Sequence, residues 1–289
     1  MLPERDRAGG GVTKRSAHRR PSRWSGMTRS WSVLAALLLL VLPGLVLIGI
    51  AVRPPRAPAA RPAIAAPLPA PVRPTPKTDR ATRVEKITYP ARGGGAWRTA
   101  PGANRTGGRS GTLLRYRVLM ETDIKGIGVG TFADAVTTTL DDPRGWTAGG
   151  TLRLRRVGPG QPYDFTIYLA TPVTRDELCQ DAADGYTSCR NGDSVVVNVA
   201  RWAKGVPGYG AALPVYRQYL VNHEVGHRLG HGHELCPGKN EPAPVMQQQT
   251  LGMHGCTANP WPYRNGKRYA GDPGAYDDAS PAREGGRGA

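Results

Sequence analysis

The stretch PVYRQYLVNHEVGHRLGHGH, residues 214–233, carries four of the six histidines of this 289-residue chain. Pro214 suits the first turn of a helix, where a backbone N–H has no helical partner in any case. From there the side chains at intervals of four form the inward stripe of a helix, namely Val215, Tyr219, His223 and His227. The pattern predicts an α-helix that begins near Pro214 and carries two histidines on its inner face.

The two helical histidines have the spacing of a metal site. Cβ atoms at positions i and i+4 of a helix lie about 5–6 Å apart, so His223 and His227 can both reach one zinc ion at about 2.0–2.1 Å. Gly230 can adopt the left-handed conformation that ends a helix and turns the chain. That turn can bring back His233 as a third ligand, which leaves the fourth position of a tetrahedral zinc for water.

This stretch resembles the zinc signature of the metzincin clan of metallopeptidases, in which two histidines enclose a glutamate and a glycine and a third ligand follow. The resemblance implies that His223, His227 and His233 bind Zn2+ and that Glu224 is the catalytic general base. His231 is an alternative third ligand, and we prefer His233 because the clan spacing and the turn geometry agree.

The resemblance also implies a tight methionine turn beneath the metal, which PVMQQQT, residues 244–250, supplies with Met246. Some metzincins place a tyrosine two residues after this methionine, whereas this chain has Gln248 there. Residues 80–265 further resemble an uncharacterised family of bacterial membrane-anchored proteins that end in the same motif. The implied fold is α+β and metzincin-like, a twisted mixed sheet with a backing helix and an active-site helix.

The function implied by this resemblance is that of a zinc metalloendopeptidase, which hydrolyses a peptide or protein substrate with zinc-bound water. Two other functions stay open: a non-catalytic, zinc-stabilised binding or structural protein of the cell surface, and a cell-wall amide hydrolase. In the clan, an extended peptide lies beside an edge strand, for which DFTIYLA, residues 164–170, is our candidate. The alternative for this segment is a core strand, and His254 lies either at the surface or along the cleft.

The region before the histidine helix alternates between strand and helix patterns. Strands are predicted in residues 113–120, 151–157, 164–170 and 194–200, which are rich in β-branched and aromatic residues. Between the first two, Phe132, Val136 and Leu140 recur every four residues, so a helix is expected, with an end near residues 143–145. Thr131 is the expected cap, and Asp134 is expected to complete a capping box with it. The predicted order is a strand, a helix and then several strands.

The N-terminal residues predict a membrane anchor. Residues 31–52 are uncharged and long enough to span a bilayer as one helix, although a cleaved signal peptide is the competing interpretation. The basic residues 1–30 place that tail in the cytoplasm and everything after the anchor outside the cell. Residues 53–79, rich in proline and alanine, form a stalk. We expect residues 93–111 to be flexible and residues 266–289 to be a disordered tail.

All four cysteines follow the predicted anchor, where the compartment is oxidising. An even number of cysteines without a C-x-x-C spacing favours two disulfides over a metal site. Four cysteines allow three pairings, and proximity along the chain favours Cys179 with Cys189 and Cys236 with Cys256.

The net charge of +17 does not indicate a nucleic-acid-binding protein. Residues 1–30 contribute +6, residues 53–79 contribute +4 and residues 80–289 contribute +7, so the excess is divided among three segments of different character. Basic and aromatic residues together can still bind a polyanion such as a cell-wall polymer or lipid headgroups. A solvated surface is the simpler interpretation.

Overall fold

A mixed β-sheet lies at the centre of the domain. The computed structural model describes residues 86–181 and 183–282. Within these residues the main sheet has six strands: β1 (Trp97–Thr99), β2 (Thr112–Glu121), β3 (Leu152–Arg156), β4 (Phe165–Ala170), β5 (Cys189–Asn191) and β6 (Ser194–Asn198). The strand order is β1-β2-β4-β6-β5, and β3 pairs with the first half of β2. The strands β2, β3, β4 and β6 run parallel, whereas β1 and β5 are antiparallel to their neighbours.

The helices cover both faces of this sheet. They are α1 (Val129–Leu140), α2 (Pro172–Cys179), α3 (Val199–Lys204) and α4 (Leu213–Arg228). Alternate residues of the strands point towards α1 and α4 and are fully buried, for example Tyr116 on β2, Phe165 on β4 and Val195 on β6. Phe132, Val136 and Leu140 of α1 complete this core. The opposite face packs on α2 through Ala170, Cys179, Cys189 and Val196.

The coarse fold class predicted from the sequence, α+β with a mixed sheet, is confirmed. The four predicted strands correspond to β2, β3, β4 and β6, and the histidine helix begins one residue before Pro214. The sequence did not predict β1, α2 or β5, all of which have eight residues or fewer. It also assigned Val199 and Ala200 to a strand, whereas they begin α3 behind the Asn198 cap, whose side chain accepts a hydrogen bond from the Ala200 N–H.

The prediction that residues 164–170 form the edge strand is wrong. Strand β4 lies between β2 and β6, with both sides paired, and it is the core strand of the alternative interpretation. The edge strand beside the histidine helix is β5. It is short, it follows a loop, and its first residue, Cys189, forms a disulfide. Three residues without a hydrophobic alternation give too weak a signal for a strand to be recognised from sequence.

The predicted cap of α1 is also wrong. The N-cap is Gly128, which has no side-chain hydrogen bond to the helix, and Thr131 lies within the first turn. Asp134, which we expected to complete a capping box, pairs instead with Arg156 of β3 at 2.8 Å. The helix ends at Leu140, three residues before the predicted region of residues 143–145.

Two segments expected to be flexible contribute to the domain. Within residues 93–111, Trp97 belongs to β1 and packs edge-on against Tyr168, which supplies the apolar surroundings that an indole ring requires. Within residues 266–282, Lys267–Arg268 form β8, which pairs with β7 (Tyr263–Arg264). The remaining residues of the predicted tail, 283–289, lie outside the described residues.

The predicted cytoplasmic tail (1–30), anchor (31–52) and stalk (53–79) also lie outside the described residues. Among the helices within residues 86–181 and 183–282, none combines the length and the apolar character needed to cross a membrane.

Candidate metal centre

Helix α4 is fixed in the core through its buried face. Tyr219, Leu220 and Val225 are almost completely buried, and the Tyr219 hydroxyl donates to the Gln247 carbonyl at 3.1 Å. On the neighbouring turn, the Trp146 indole donates to the Asn222 carbonyl, and the Asn222 amide donates to the Pro260 carbonyl. These bonds fix the rotation and the axial position of the helix, and therefore the direction in which its two histidines point.

The predicted ligands meet at one point. The Nε2 atom of His227 lies 3.2 Å from that of His223 and 3.1 Å from that of His233. Two nitrogens bound to one tetrahedral zinc at about 2.0–2.1 Å are separated by about 3.3 Å, so the spacing agrees with that of a shared ion. His223, His227 and His233 are the histidines that the structure brings together.

The orientation of the rings identifies which nitrogen faces the centre. His223 Nδ1 lies 2.8 Å from the Val245 carbonyl oxygen, and His227 Nδ1 lies 2.9 Å from that of His231. A carbonyl oxygen only accepts, so each Nδ1 must carry the proton and each Nε2 must present a lone pair. Neither of these Nε2 atoms can then donate to a neighbouring ring, and their two lone pairs converge on one point, where a cation would be well placed.

Burial keeps these imidazoles uncharged. Loss of solvent lowers the pKa of His223, His227 and His233 below its usual range, and that of His233 to about 4. The neighbouring His227 ring lowers the pKa of His233 further. Neutral imidazole is the form that binds a metal, so at neutral pH the donor set needs no deprotonation.

A glycine turn brings His233 to the helical pair. The α4 helix ends at Arg228, and Gly230 has φ of 94°, the positive range that favours glycine. Beyond the turn, the His233 carbonyl accepts from the Gly274 N–H, and Glu234 N–H donates to the Met246 carbonyl. The predicted role of Gly230 therefore agrees with the geometry, and Gly274 of the C-terminal segment (residues 266–282) helps to hold the third predicted ligand.

His231 faces away from the centre. Its ring stacks on that of Trp146, with the ring centroids 4.4 Å apart, while its carbonyl orients His227. His231 therefore contacts the site through its backbone carbonyl. The structure brings the ring of His233, and not that of His231, together with the helical pair.

Met246 lies directly beneath helix α4. It is fully buried and belongs to a turn in which Gln247 N–H donates to the Pro244 carbonyl at 3.0 Å. A Cβ atom at Gly226 would overlap the Met246 sulfur and would lie 2.6 Å from the Trp146 ring. The turn thus packs on the helix between its two histidines, and this contact requires Gly226.

Sequence reasoning missed Gly226, Trp146 and the Val245 carbonyl. A signal for the first was present, because glycine in the interior of a helix costs about 1 kcal/mol relative to alanine and indicates a close packing contact. Nothing in the sequence indicated Trp146, which lies 76 positions before the carbonyl it contacts. Val245 was hidden because it contributes a backbone atom, which any residue possesses.

Glu224 lies in a cleft of about 490 Å3 together with the three histidines. Its side chain is almost fully buried, and burial raises the pKa of its carboxyl to about 8, an effect that the positive charge of Arg175 opposes. Arg175 lies in the same cleft, where its guanidinium contacts Asp176, Asp181 and Thr187. The cleft therefore contains a buried carboxyl group beside three nitrogen donors.

One wall of the cleft is the edge strand β5. Arg190 of this strand donates through Nε and Nη2 to the His227 carbonyl, at 3.1 Å and 3.0 Å. The bonds add to the one that the same carbonyl accepts from the Gly230 N–H at the C-terminal end of α4. Gln248, Thr250 and Leu251, which follow the methionine turn, also line the cleft.

Two disulfides stabilise the walls, with the pairing that the sequence predicts. Cys179 pairs with Cys189 and links α2 to β5, and Cys236 pairs with Cys256. The second bond closes the loop that contains Val245 and Met246. No free cysteine occurs among the described residues.

His254 lies outside the cleft lining and contacts the C-terminal segment. Its ring stacks on Tyr276, and its Nε2 lies 2.7 Å from an Asp278 carboxylate oxygen. Two residues further, the Ser280 hydroxyl donates to Asp184 in the loop before β5. The C-terminal segment therefore runs from the loop after the methionine turn to the loop that precedes the edge strand.

Residues 84–258 of the chain match the family described as "Protein of unknown function (DUF3152)". The matched range covers more than half of the chain, includes all the cysteines and contains the three converging histidines, Glu224 and Met246. Neither the comparison with curated proteins nor that with solved structures finds a match. The chain belongs to the DUF3152 family.

Proposed function

We propose that this domain binds one zinc ion through His223, His227 and His233 and hydrolyses peptide bonds with Glu224 as the general base. The observation that carries the proposal is the convergence of three Nε2 atoms, two of them fixed as acceptors by hydrogen bonds from the opposite ring nitrogen. Three neutral imidazoles suit zinc better than calcium or magnesium, which prefer oxygen ligands. Three protein ligands are also the usual number in a catalytic zinc site, whereas structural sites use four.

When bound, zinc polarises a substrate carbonyl and lowers the pKa of water to about 7. The Glu224 carboxylate follows the first ligand directly in the sequence and shares its cleft, so it can accept a proton from water and pass it to the leaving amine. Burial in the cleft removes competing solvent from this carboxylate. Arg175 stabilises its ionised form, as does the charge of any cation held by the histidines.

The metzincin-like interpretation has support from the arrangement of the parts. Helix α1 packs on the same face of the sheet as α4, α4 carries the first two histidines, a glycine turn leads to the third, and a methionine turn packs against α4. The resemblance seen in the sequence thus extends to parts that are distant along the chain. The cell-surface location belongs to the same proposal and depends on the predicted anchor, residues 31–52.

The substrate in this proposal is an extended peptide that pairs with β5. Asn191 and Ser194 flank a two-residue turn and form the hydrogen-bonded pair that closes it. Arg190 therefore occupies a non-hydrogen-bonded position, where its own backbone N–H and carbonyl face away from β6. Because Arg190 also lines the cleft, these groups can pair with a peptide that passes beside the histidines.

The test compares the wild-type chain with Glu224→Gln and His233→Ala. The wild type should bind one zinc ion per chain and cleave members of a mixed peptide library, with products identified by mass spectrometry. Glu224→Gln should keep its zinc and lose hydrolysis by at least about a hundredfold, since the water then lacks its base. His233→Ala should lose both zinc and hydrolysis.

Other outcomes would replace the proposal. A wild-type protein that binds zinc but cleaves neither peptides nor cell-wall fragments, and that Glu224→Gln leaves unchanged, would be a zinc-stabilised binding or structural protein. Cleavage of cell-wall amides alone would identify a cell-wall hydrolase. A protein without stoichiometric zinc would contradict all three functions.

A further inference from the structure

Four arginines share one exposed area of the sheet, on the face opposite α1 and α4. Arg115 and Arg117 lie on β2, and Arg153 and Arg155 lie on the adjacent strand β3. The register pairs Arg115 with Arg155 and Leu113 with Arg153, and residues two apart on a strand point to the same side. All four side chains therefore project from one face, which we term the arginine face.

The dimensions of the arginine face suit closely spaced anions. Adjacent strands are about 4.8 Å apart, and residues two apart on one strand are about 6.6 Å apart. Arg115 and Arg155 are exposed, whereas Arg117 and Arg153 are half-buried. The four arginine side chains thus leave the sheet within an area smaller than that of two adjacent phosphate headgroups. Each guanidinium group can donate two parallel hydrogen bonds to a phosphate.

These four arginines lack acidic partners, unlike seven other arginines of the domain. Arg92, Arg105, Arg144, Arg156, Arg175, Arg228 and Arg268 each form an ion pair. Within the described residues, none of the four on the arginine face does so. Arg117 donates to the Thr166 hydroxyl and Arg153 to the Gly111 carbonyl, and the nearby Asp164 carboxylate accepts from the Arg115 backbone N–H.

An aromatic ring extends the arginine face. Tyr163 is 43% exposed and is the large hydrophobic residue most open to solvent in the described part of the chain. The Arg117 guanidinium lies 3.7 Å from the centre of its ring. Tyrosine is enriched where one end of a side chain is apolar and the other is wet, as at a lipid headgroup layer.

We propose that the arginine face binds the phosphate groups of an anionic lipid surface. Charge complementarity favours an anionic partner, because four like charges with a single nearby carboxylate, that of Asp164, repel each other until anions approach. The predicted tether favours a membrane over a free polymer. Residues 53–85 span at most about 120 Å even when fully extended, so a domain anchored by the predicted segment 31–52 stays within that distance of the bilayer and meets lipid at a high effective concentration.

This inference is independent of catalysis, since no residue of the arginine face lines the histidine cleft. It rests on the predicted membrane segment only for the choice of partner. Contact with lipid would hold the sheet against the bilayer and so limit the directions in which the cleft can meet its substrate.

The experiment uses the full chain held in phosphatidylcholine nanodiscs, so that the predicted anchor is occupied by neutral lipid. Sedimentation with sucrose-loaded vesicles then measures binding of the domain, with either phosphatidylcholine alone or phosphatidylcholine containing phosphatidylglycerol. The test variant replaces Arg115, Arg117, Arg153 and Arg155 by glutamine. The matched control replaces four other exposed basic residues by glutamine and so makes the same change in charge, namely Arg98, Arg109, Lys239 and Lys267.

We expect the wild type to bind the anionic vesicles, to bind neutral vesicles at least tenfold more weakly, and to dissociate as salt rises. The test variant should lose about 600-fold in affinity, because each of the four basic residues near an anionic surface contributes about a fivefold change. The control variant should lose less than tenfold. Near-ultraviolet circular dichroism and intact disulfides establish that both variants are folded.

Three results would overturn the inference. Wild-type protein that does not bind anionic vesicles contradicts it directly. Equal losses in the test and control variants would show that net charge acts, and not this face. Binding of soluble polyphosphate that depends on the four arginines, without vesicle binding, would assign the face to a polymer and not to a membrane.

Discussion

Helix α4 and the segment that follows it, residues 234–282, contribute to the same centre by different physical means. The helix has a periodic hydrophobic face, and it places His223 and His227 by its own geometry. The following segment has two short strands as its only regular structure, and it positions Val245 and Met246 through a disulfide and hydrogen bonds from buried amide side chains. The helix supplies two of the proposed ligands, whereas the segment orients one of them, His223, through the Val245 carbonyl.

The buried amides show how an irregular segment becomes rigid. Gln247 donates to the Gly252 and Met253 carbonyls. Gln249 donates to the Pro244 and Asn259 carbonyls, and Asn259 donates to the Ala243 and Trp261 carbonyls. These side chains satisfy backbone groups that a helix or sheet would otherwise pair, which buried backbone requires.

The largest expected effect comes from the helix. His227→Ala removes the ligand whose Nε2 lies between the other two, so we expect stoichiometric zinc binding to be abolished at micromolar zinc. His231→Ala keeps the backbone carbonyl that orients His227 and should retain zinc. Metal analysis after dialysis measures both, and zinc retained by His227→Ala but lost by His231→Ala would contradict the ligand assignment.

Variants of the two disulfides distinguish the effect of the orienting segment on zinc binding from a general effect on stability. Replacing either cysteine pair by serine should lower the free energy of unfolding by about 3 kcal/mol through the entropy of the unfolded chain. Only the Cys236/Cys256 variant should also weaken zinc binding, by about 10- to 100-fold, because its loop holds the carbonyl that orients His223.

Denaturant unfolding of the zinc-free proteins and zinc competition titrations test this comparison. The Cys179/Cys189 variant is the matched control, because its bond lies between α2 and β5. If both variants weaken zinc binding equally, the orienting role of residues 236–256 is wrong.

The contact between the two regions is tested at Gly226. Gly226→Ala forces a methyl group against Met246 and Trp146, and we expect the free energy of unfolding to fall by about 1–3 kcal/mol despite the higher helix propensity of alanine. Gly130→Ala is the control, since a Cβ at this position of α1 meets no atom within 4 Å. That variant should gain about 0.5 kcal/mol, and equal behaviour of the two would show that Gly226 is not a packing requirement.

The smallest effect concerns the loop reached by the C-terminal segment. Burial alone would raise the pKa of Asp184, but hydrogen bonds from Thr187 and Tyr186 and the charge of Arg175 outweigh it and lower the pKa. A carboxyl group with a pKa lower in the folded than in the unfolded protein stabilises the fold above its unfolded pKa of about 3.9, and this contribution is lost as the pH falls through the folded value.

Asp184→Asn should therefore destabilise the zinc-free protein at pH 6, and the difference from the wild type should shrink below about pH 4. Denaturant unfolding at several pH values measures this difference. A difference that stays constant from pH 6 to pH 3 would contradict the assigned role of the Asp184 charge.

The same contrast explains how far sequence reasoning could reach. The α4 helix, its two histidines and the Gly230 turn are local features, set by residues within a few positions of one another, and the structure agrees with each. The edge strand was misassigned because the choice between β4 and β5 depends on which strand has neighbours on both sides, a property of the whole sheet. Hydrophobicity along β4 could indicate burial but not position.

Contacts made by backbone atoms could not be predicted from the sequence for a related reason. The Val245 carbonyl orients His223 and the His231 carbonyl orients His227, yet both atoms exist in every residue. Residues 266–282 appeared disordered by composition, although Arg268 pairs with Glu234 and Gly274 bonds to His233. A segment rich in glycine and charge can become ordered by contacts with the rest of the domain, which composition does not reveal.

X-ray absorption at the zinc edge tests the central claim most directly, namely that three histidines of α4 and its following turn hold a zinc ion with one position left for a non-protein ligand. For the wild-type chain purified with zinc, we predict three imidazole nitrogens and one further light atom at about 2.0–2.1 Å. A sulfur ligand at about 2.3 Å, four imidazoles, or a protein that holds no stoichiometric zinc would contradict the account.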